Sequence, residues 1–164
     1  MTLQAKLDAF KADFQAGKPP YNVPPSVIAT MHRATAELTR ALKAGERAPA
    51  FTLRDPDGQP VSSADLLARG PLVISFYRGV WCPYCNLELQ ALQEALPSFE
   101  RLGASLVAIS PQTAANSRKS VRQNSLGFPI LSDPHNDIAA AFGLRFTMPD
   151  YLVDLYKSLR NDLP

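Results

Sequence analysis

A chain of 164 residues with 46% apolar content is long enough for one domain with its own core, and it needs no disulfide or metal to hold it together. Its formal charge of +2 comes from intermixed Lys, Arg, Asp and Glu, which leaves no basic stripe suited to nucleic acid or to an anionic membrane surface. Met1-Thr-Leu-Gln-Ala-Lys-Leu-Asp8 mixes charges too early for a signal or transit peptide, and no segment has the apolar length of a membrane span, so the chain reads as cytoplasmic.

Leu3, Leu7, Phe10 and Phe14 recur at helical spacing, which predicts an amphipathic helix over 2–16 with Thr2 as N-cap and Gly17 as stop. The prolines of Lys18-Pro-Pro-Tyr-Asn-Val-Pro-Pro25 remove backbone donors and restrict their predecessors, so this stretch is an extended connector. Ser26 then caps a second helix, with Ile28, Met31, Leu38 and Leu42 on one face and Gly45 at its end. Its face and that of the first helix suit either packing on the body of the protein or a homodimer contact. Residues 1–45 form an N-terminal helical extension on this reading, and 46–164 the main domain.

Ala48-Pro-Ala-Phe-Thr-Leu53 begins that domain with a short strand, followed by a tight turn at Asp57-Gly58, a second short strand at Val61 and a brief helix ending at Gly70-Pro71. Leu72 to Tyr77 is a buried strand. Leu87, Leu89, Leu92 and Leu96 predict a helix running towards Leu102, with Pro97 placed to kink or divide it. Ser105 to Ser110 is the next strand, Thr113 to Ser125 a polar helix capped by Thr113, and Ile130 to Ser132 a third strand. Asn136 to Phe142 is helical up to Gly143, and Pro149 opens a last helix with Leu152, Leu155, Tyr156 and Leu159 on one face. Strands alternating with helices imply an α/β fold: a central sheet flanked by helices, with the strands at 72, 105 and 130 parallel.

The only two cysteines, Cys82 and Cys85, fall where the 72–77 strand gives way to a helix. A structural disulfide across so short a loop would stabilise by only about 2 kcal/mol. Half of a zinc site would need two more ligands, and His32 and His135 lie far off with no ligand-like spacing, so no metal or other cofactor is expected. Inert buried thiols fit poorly beside Arg78 and Asn86. A dithiol–disulfide couple fits best, because a helix start favours thiolate and cysteines three apart in a first turn satisfy disulfide geometry. Cys82, nearer the helix start and after Trp81, is expected to be the more exposed, attacking thiolate, with Cys85 one turn inside as its resolver. Pro83 suits the first helical position, and Arg78 adds charge that favours the thiolate.

Ala48-Pro-Ala-Phe-Thr-Leu53, the Gly58 turn, Gly70-Pro71, Phe76-Tyr-Arg-Gly-Val-Trp-Cys-Pro-Tyr-Cys85 and Phe128-Pro-Ile-Leu-Ser-Asp133 together resemble the alkyl hydroperoxide reductase/thiol-specific antioxidant (AhpC/TSA) superfamily. The likeness is to its bacterial peroxiredoxin-like branch with a thioredoxin-style cysteine pair, and it spans roughly residues 45 to 164. It implies a thioredoxin-like fold and a thiol-based antioxidant activity. Hydroperoxides would be reduced at Cys82, with Trp81, Pro83 and Tyr84 in support and a thioredoxin-type reductant.

The chain departs from the family pattern in three ways. Peroxiredoxins place Pro-x-x-x-Thr/Ser-x-x-Cys at the peroxidatic cysteine, and the matching positions here are Ser75 and Gly79. Cys-Pro-Tyr-Cys is the glutaredoxin tetrapeptide, which implies as an alternative exchange with protein disulfides or glutathione without peroxide chemistry. The family also continues with a cis-proline loop, a β-hairpin and a final helix, none of which precedes Pro164. The 72–77 strand is therefore expected to keep one edge unpaired within this chain; either the chain is truncated or, alternatively, a partner chain covers that edge. A non-catalytic interaction module using that edge is the third reading.

Overall fold

The computed structural model describes residues 1–18 and 41–158. The proline connector beyond Lys18, the second helix up to Leu38, His32 and Leu159 lie outside these residues. The described residues fall into two compact units, one of Leu42–Phe142 and one made of the segments before Leu42 and from Gly143 onward.

In the second unit, α1 (Leu3–Gln15) starts as the sequence predicts, with the Thr2 hydroxyl accepting from the Ala5 N–H. Phe10 and Phe14 stack one turn apart, with ring centroids 6.2 Å from each other. The stripe of Leu3, Leu7, Phe10 and Phe14 is half-buried.

Residues 41–45 are irregular, so the helix expected to end at Gly45 does not reach it. The Glu46 carboxylate accepts from the Lys43 N–H at 2.7 Å, and the Glu46 N–H donates back to the Lys43 carbonyl. A side chain that takes a backbone donor in this way competes with the helical ladder.

The larger unit carries the sheet. β1 (Thr52–Arg54) and β2 (Pro60–Ser62) form an antiparallel hairpin whose turn is organised by Asp55: its carboxylate accepts from the Asp57 and Gln59 N–H groups. Gly58 supplies the φ of +82° that this turn requires. After α2 (Ser63–Leu67), β3 (Leu72–Phe76) pairs parallel with β4 (Ser105–Ser110), which pairs parallel with β5 (Ile130–Ser132), as the alternating pattern predicts. β5 meets β1 antiparallel, so the order is β2-β1-β5-β4-β3. Among the described residues β3 lies at one edge of the sheet, with β4 as its one neighbouring strand, as expected of it.

β4 is covered on both sides. Leu106 and Ala108 face one core with Leu89, Leu126, Phe128 and Ile130, whereas Val107 and Ile109 face another with Phe51, Leu66 and Leu131. Such two-sided burial explains its unbroken apolar run. The first core is closed by α3 (Pro83–Arg101) and α4 (Ala114–Asn124), the second by α2 and α5 (Asp137–Ala141). α6 (Asp150–Ser158) follows Pro149 with Leu152 and Tyr156 buried.

α3 continues for 19 residues through Pro97 and is not divided there. Pro97 removes one backbone hydrogen bond, but Leu89 and Leu92 before it and Phe99 after it pack on the same core. Burial on both sides of the missing bond holds the helix together.

Candidate active site

The site is built where β3 hands over to α3. The Tyr77 N–H still bonds the Ile109 carbonyl, one residue beyond the strand, after which the chain turns so that the Cys82 N–H bonds the Gly79 carbonyl at 3.0 Å. Cys82 is the N-cap of α3: its backbone is extended and its sulfur accepts from the Cys85 N–H at 3.4 Å, where a hydroxyl or carboxylate would ordinarily sit. Pro83 occupies the first helical position, as expected.

The two thiols are free and their sulfurs lie 2.6 Å apart, with the Cys85 S–H directed at Cys82. That bond, the largest influence, pulls Cys82 down to about 7, against the opposing effect of burial; the Cys85 N–H, the Arg78 charge and the Tyr84 backbone add to the fall. Cys85 is pushed far up, because its proton is held by Cys82 and its own burial disfavours a second charge. Tyr84 is raised by burial and by the charge on Cys82. Of the two, Cys82 is therefore the thiol that loses its proton first and Cys85 the one that keeps it.

Cys82 is not the more exposed of the two: it is 4% accessible against 8% for Cys85. Both belong to the core beneath α3, and Trp81 and Tyr84 pack on that core beside them. The aromatic neighbours close over a position that helix geometry alone would leave open.

The guanidinium of Arg78 stands 4.7 Å from the centroid of the Trp81 ring. Cys82, Cys85, Arg78, Trp81, Pro83 and Tyr84 are therefore together at one corner. Among the described residues no group of three or more His, Cys, Asp or Glu side chains is placed to hold a metal ion.

Sequence reasoning missed a layer of buried polar side chains behind the cysteines. Gln112, in the turn after β4, accepts the Val80 N–H at 2.9 Å through Oε1, and its Nε2 donates towards the hydroxyls of Tyr77, Ser117 and Ser120. The Tyr77 hydroxyl is pushed up to about 12, chiefly by burial. On the other side, Asn86 Nδ2 donates to the Val80 carbonyl at 2.8 Å, Asn124 donates to Asn86, and Gln90 donates to Asn124. The signal lies in α4: Ser117, Ser120 and Asn124 recur at three and four residues, a buried polar stripe on a polar helix.

Gly79 explains the missing hydroxyl. Its φ is +152°, and a β-carbon there would lie 2.6 Å from Trp81 Nε1 and 3.5 Å from Gln112 Oε1. A threonine at this position is incompatible with the observed place of Trp81.

A parallel strand that ends in a cysteine pair on the N-terminus of the next helix, backed by a mixed sheet, is a thioredoxin-like architecture. The AhpC/TSA family model matches residues 44–157, and the chain belongs to that family. It is 35% identical over 105 residues to a protein assigned as a peroxiredoxin in Mycobacterium tuberculosis, covering 64% of this chain and 66% of that one. With the chloroplastic peroxiredoxin Q of Oryza sativa it shares 34% identity over 100 residues, covering 61% of this chain and 46% of the other. The crystal structure of peroxidoxin BcpB from Mycobacterium tuberculosis is similar with a TM-score of 0.62 at 30% identity, over 65% of this chain and 70% of that one. The chain thus spans 46% to 66% of the length of these curated relatives.

Proposed function

We propose that the chain is a thiol peroxidase in which Cys82 is the reacting residue and Cys85 resolves. The observation that carries this reading is that the two free thiols meet at the start of α3, with Cys82 as the N-cap whose sulfur accepts the Cys85 N–H; the Cys85 contacts pull the Cys82 thiol below its ordinary value. The Cys82 thiolate attacks the terminal oxygen of a hydroperoxide, the O–O bond breaks, and an alcohol leaves after taking a proton, with Cys82 as sulfenic acid. The Cys85 sulfur then displaces that oxygen as water, forming the Cys82–Cys85 disulfide. A dithiol of the thioredoxin type returns both cysteines to thiols and becomes a disulfide itself. A reducing compartment keeps such a pair ready, and on that ground we place the chemistry in the cytoplasm. No helix among the described residues is long and apolar enough to cross a membrane.

Peroxide consumption coupled to thioredoxin and its reductase tests this reading. Wild type should turn over, Cys82→Ser should not, and equal rates would end it. The second reading, disulfide exchange without peroxide chemistry, draws on Gly79, which offers no hydroxyl to orient a peroxide. Under it, insulin or glutathione mixed disulfides would be reduced while peroxide consumption stays at background.

A further inference from the structure

We propose that Gln112 is the positioning residue for Cys82, acting through the Gly79–Val80 peptide. The inference rests on the reading of Cys82 as the reactive thiol and adds to it the group that holds this thiol in place.

The orientation of the Gln112 amide is dictated by chemistry. The Val80 N–H can only donate, so the atom 2.9 Å from it must be the oxygen Oε1, which leaves Nε2 facing three hydroxyls. Gln112 is 9% exposed, and both ends of its amide are engaged. A buried amide satisfied in this way has one orientation, because any other leaves donors facing donors.

The peptide it holds is the one that places Cys82. The N–H of Val80 and the carbonyl of Gly79 belong to one planar unit, so fixing the first direction fixes the second. That carbonyl receives the Cys82 N–H at 3.0 Å. Asn86 holds the following peptide by the Val80 carbonyl at 2.8 Å, and Asn86 lies in the first turns of α3 itself. Val80 is therefore gripped on both sides, by the β4–α4 turn through Gln112 and by α3 through Asn86. The grip sets the cap geometry in which the Cys82 sulfur meets both the Cys85 N–H and the Cys85 S–H.

The test is the pH profile of alkylation by iodoacetamide, with the Cys82 adduct read by peptide mass. In Gln112→Met the midpoint should rise by about one pH unit, towards the free-thiol value near 8.5. Ser117→Ala removes a partner of the same amide but leaves the Val80 bond, and should lower the melting temperature without moving the midpoint. An unchanged midpoint in folded Gln112→Met, or equal shifts in the two variants, overturns the role of Gln112. An ordinary thiol midpoint in wild type instead defeats the reactive-thiolate reading, and this inference with it. If Gln112→Met does not fold, amide exchange in the wild-type protein decides: the Val80 N–H should be strongly protected, and exchange at the rate of a free amide overturns the proposal.

Discussion

Trp81 lies across Gly79 so closely that a β-carbon at 79 would sit 2.6 Å from its indole nitrogen. The same indole carries the Arg78 guanidinium, so the glycine, the tryptophan and the arginine form one arrangement. The absent hydroxyl is the local consequence of that arrangement. Gly79→Thr should accordingly lower stability by about 1–3 kcal/mol, from backbone strain and displacement of Trp81. It should also slow Cys82 alkylation. Thermal melts and alkylation rates check both, and a faster peroxide reaction in this variant would contradict the packing argument.

Cys85 is the main reason that Cys82 ionises near neutrality. Cys85→Ala removes the S–H donor, so the Cys82 midpoint should climb from about 7 towards the free-thiol range. At pH 7 the thiolate fraction, and with it the alkylation rate, should fall about tenfold. An unchanged rate would show that the cap N–H groups alone hold the charge.

The pair also predicts how stability follows pH under reducing conditions. Cys82 is depressed, so its contribution is present above the unfolded-state value and is lost as pH falls through about 7. Cys85 is raised, so its contribution is present below the unfolded-state value and is lost as pH climbs towards its own elevated one. Between about 7 and 8.5 the unfolded chain holds more thiol protons than the native pair, and stability rises by at most about 1.4 kcal/mol per pH unit. Above that range the native pair holds more protons, and stability falls. Urea unfolding of wild type against Cys82→Ser/Cys85→Ser should show the largest difference near pH 8.5; a monotonic difference would refute the shared proton.

Arg78 is exposed, and its charge ranks behind the Cys85 bonds in lowering Cys82. Arg78→Met should raise the alkylation midpoint by only about a few tenths of a unit, and the difference should vanish in 1 M salt, where screening acts within about 3 Å. A shift as large as that of Cys85→Ala would make the arginine the dominant influence.

The parallel strands, the hairpin turn at Gly58, the Thr2 and Thr113 caps and the place of the two cysteines at a helix start were all legible in the chain. They depend on neighbours within a few residues, or on apolar periodicity that repeats along it. Pro97 shows the limit of such local rules, since packing on both sides carries α3 through it. The end of the expected second helix shows it too, because one side chain, Glu46, redirected the Lys43 N–H.

The amino-acid sequence by itself determined that a close cysteine pair would sit at a strand-to-helix corner of an α/β sheet, because strand length, helix periodicity and the Cys-Pro-Tyr-Cys spacing are properties of the chain. Only the tertiary structure decided that Cys82 would be buried, that Trp81 would close position 79, and that Gln112, 30 residues further on, would hold the Val80 N–H. Those outcomes need atoms from β3, α3, α4 and the β4–α4 turn within hydrogen-bonding distance of one another. Periodicity places residues on faces of their own element; only packing the elements brings the faces together.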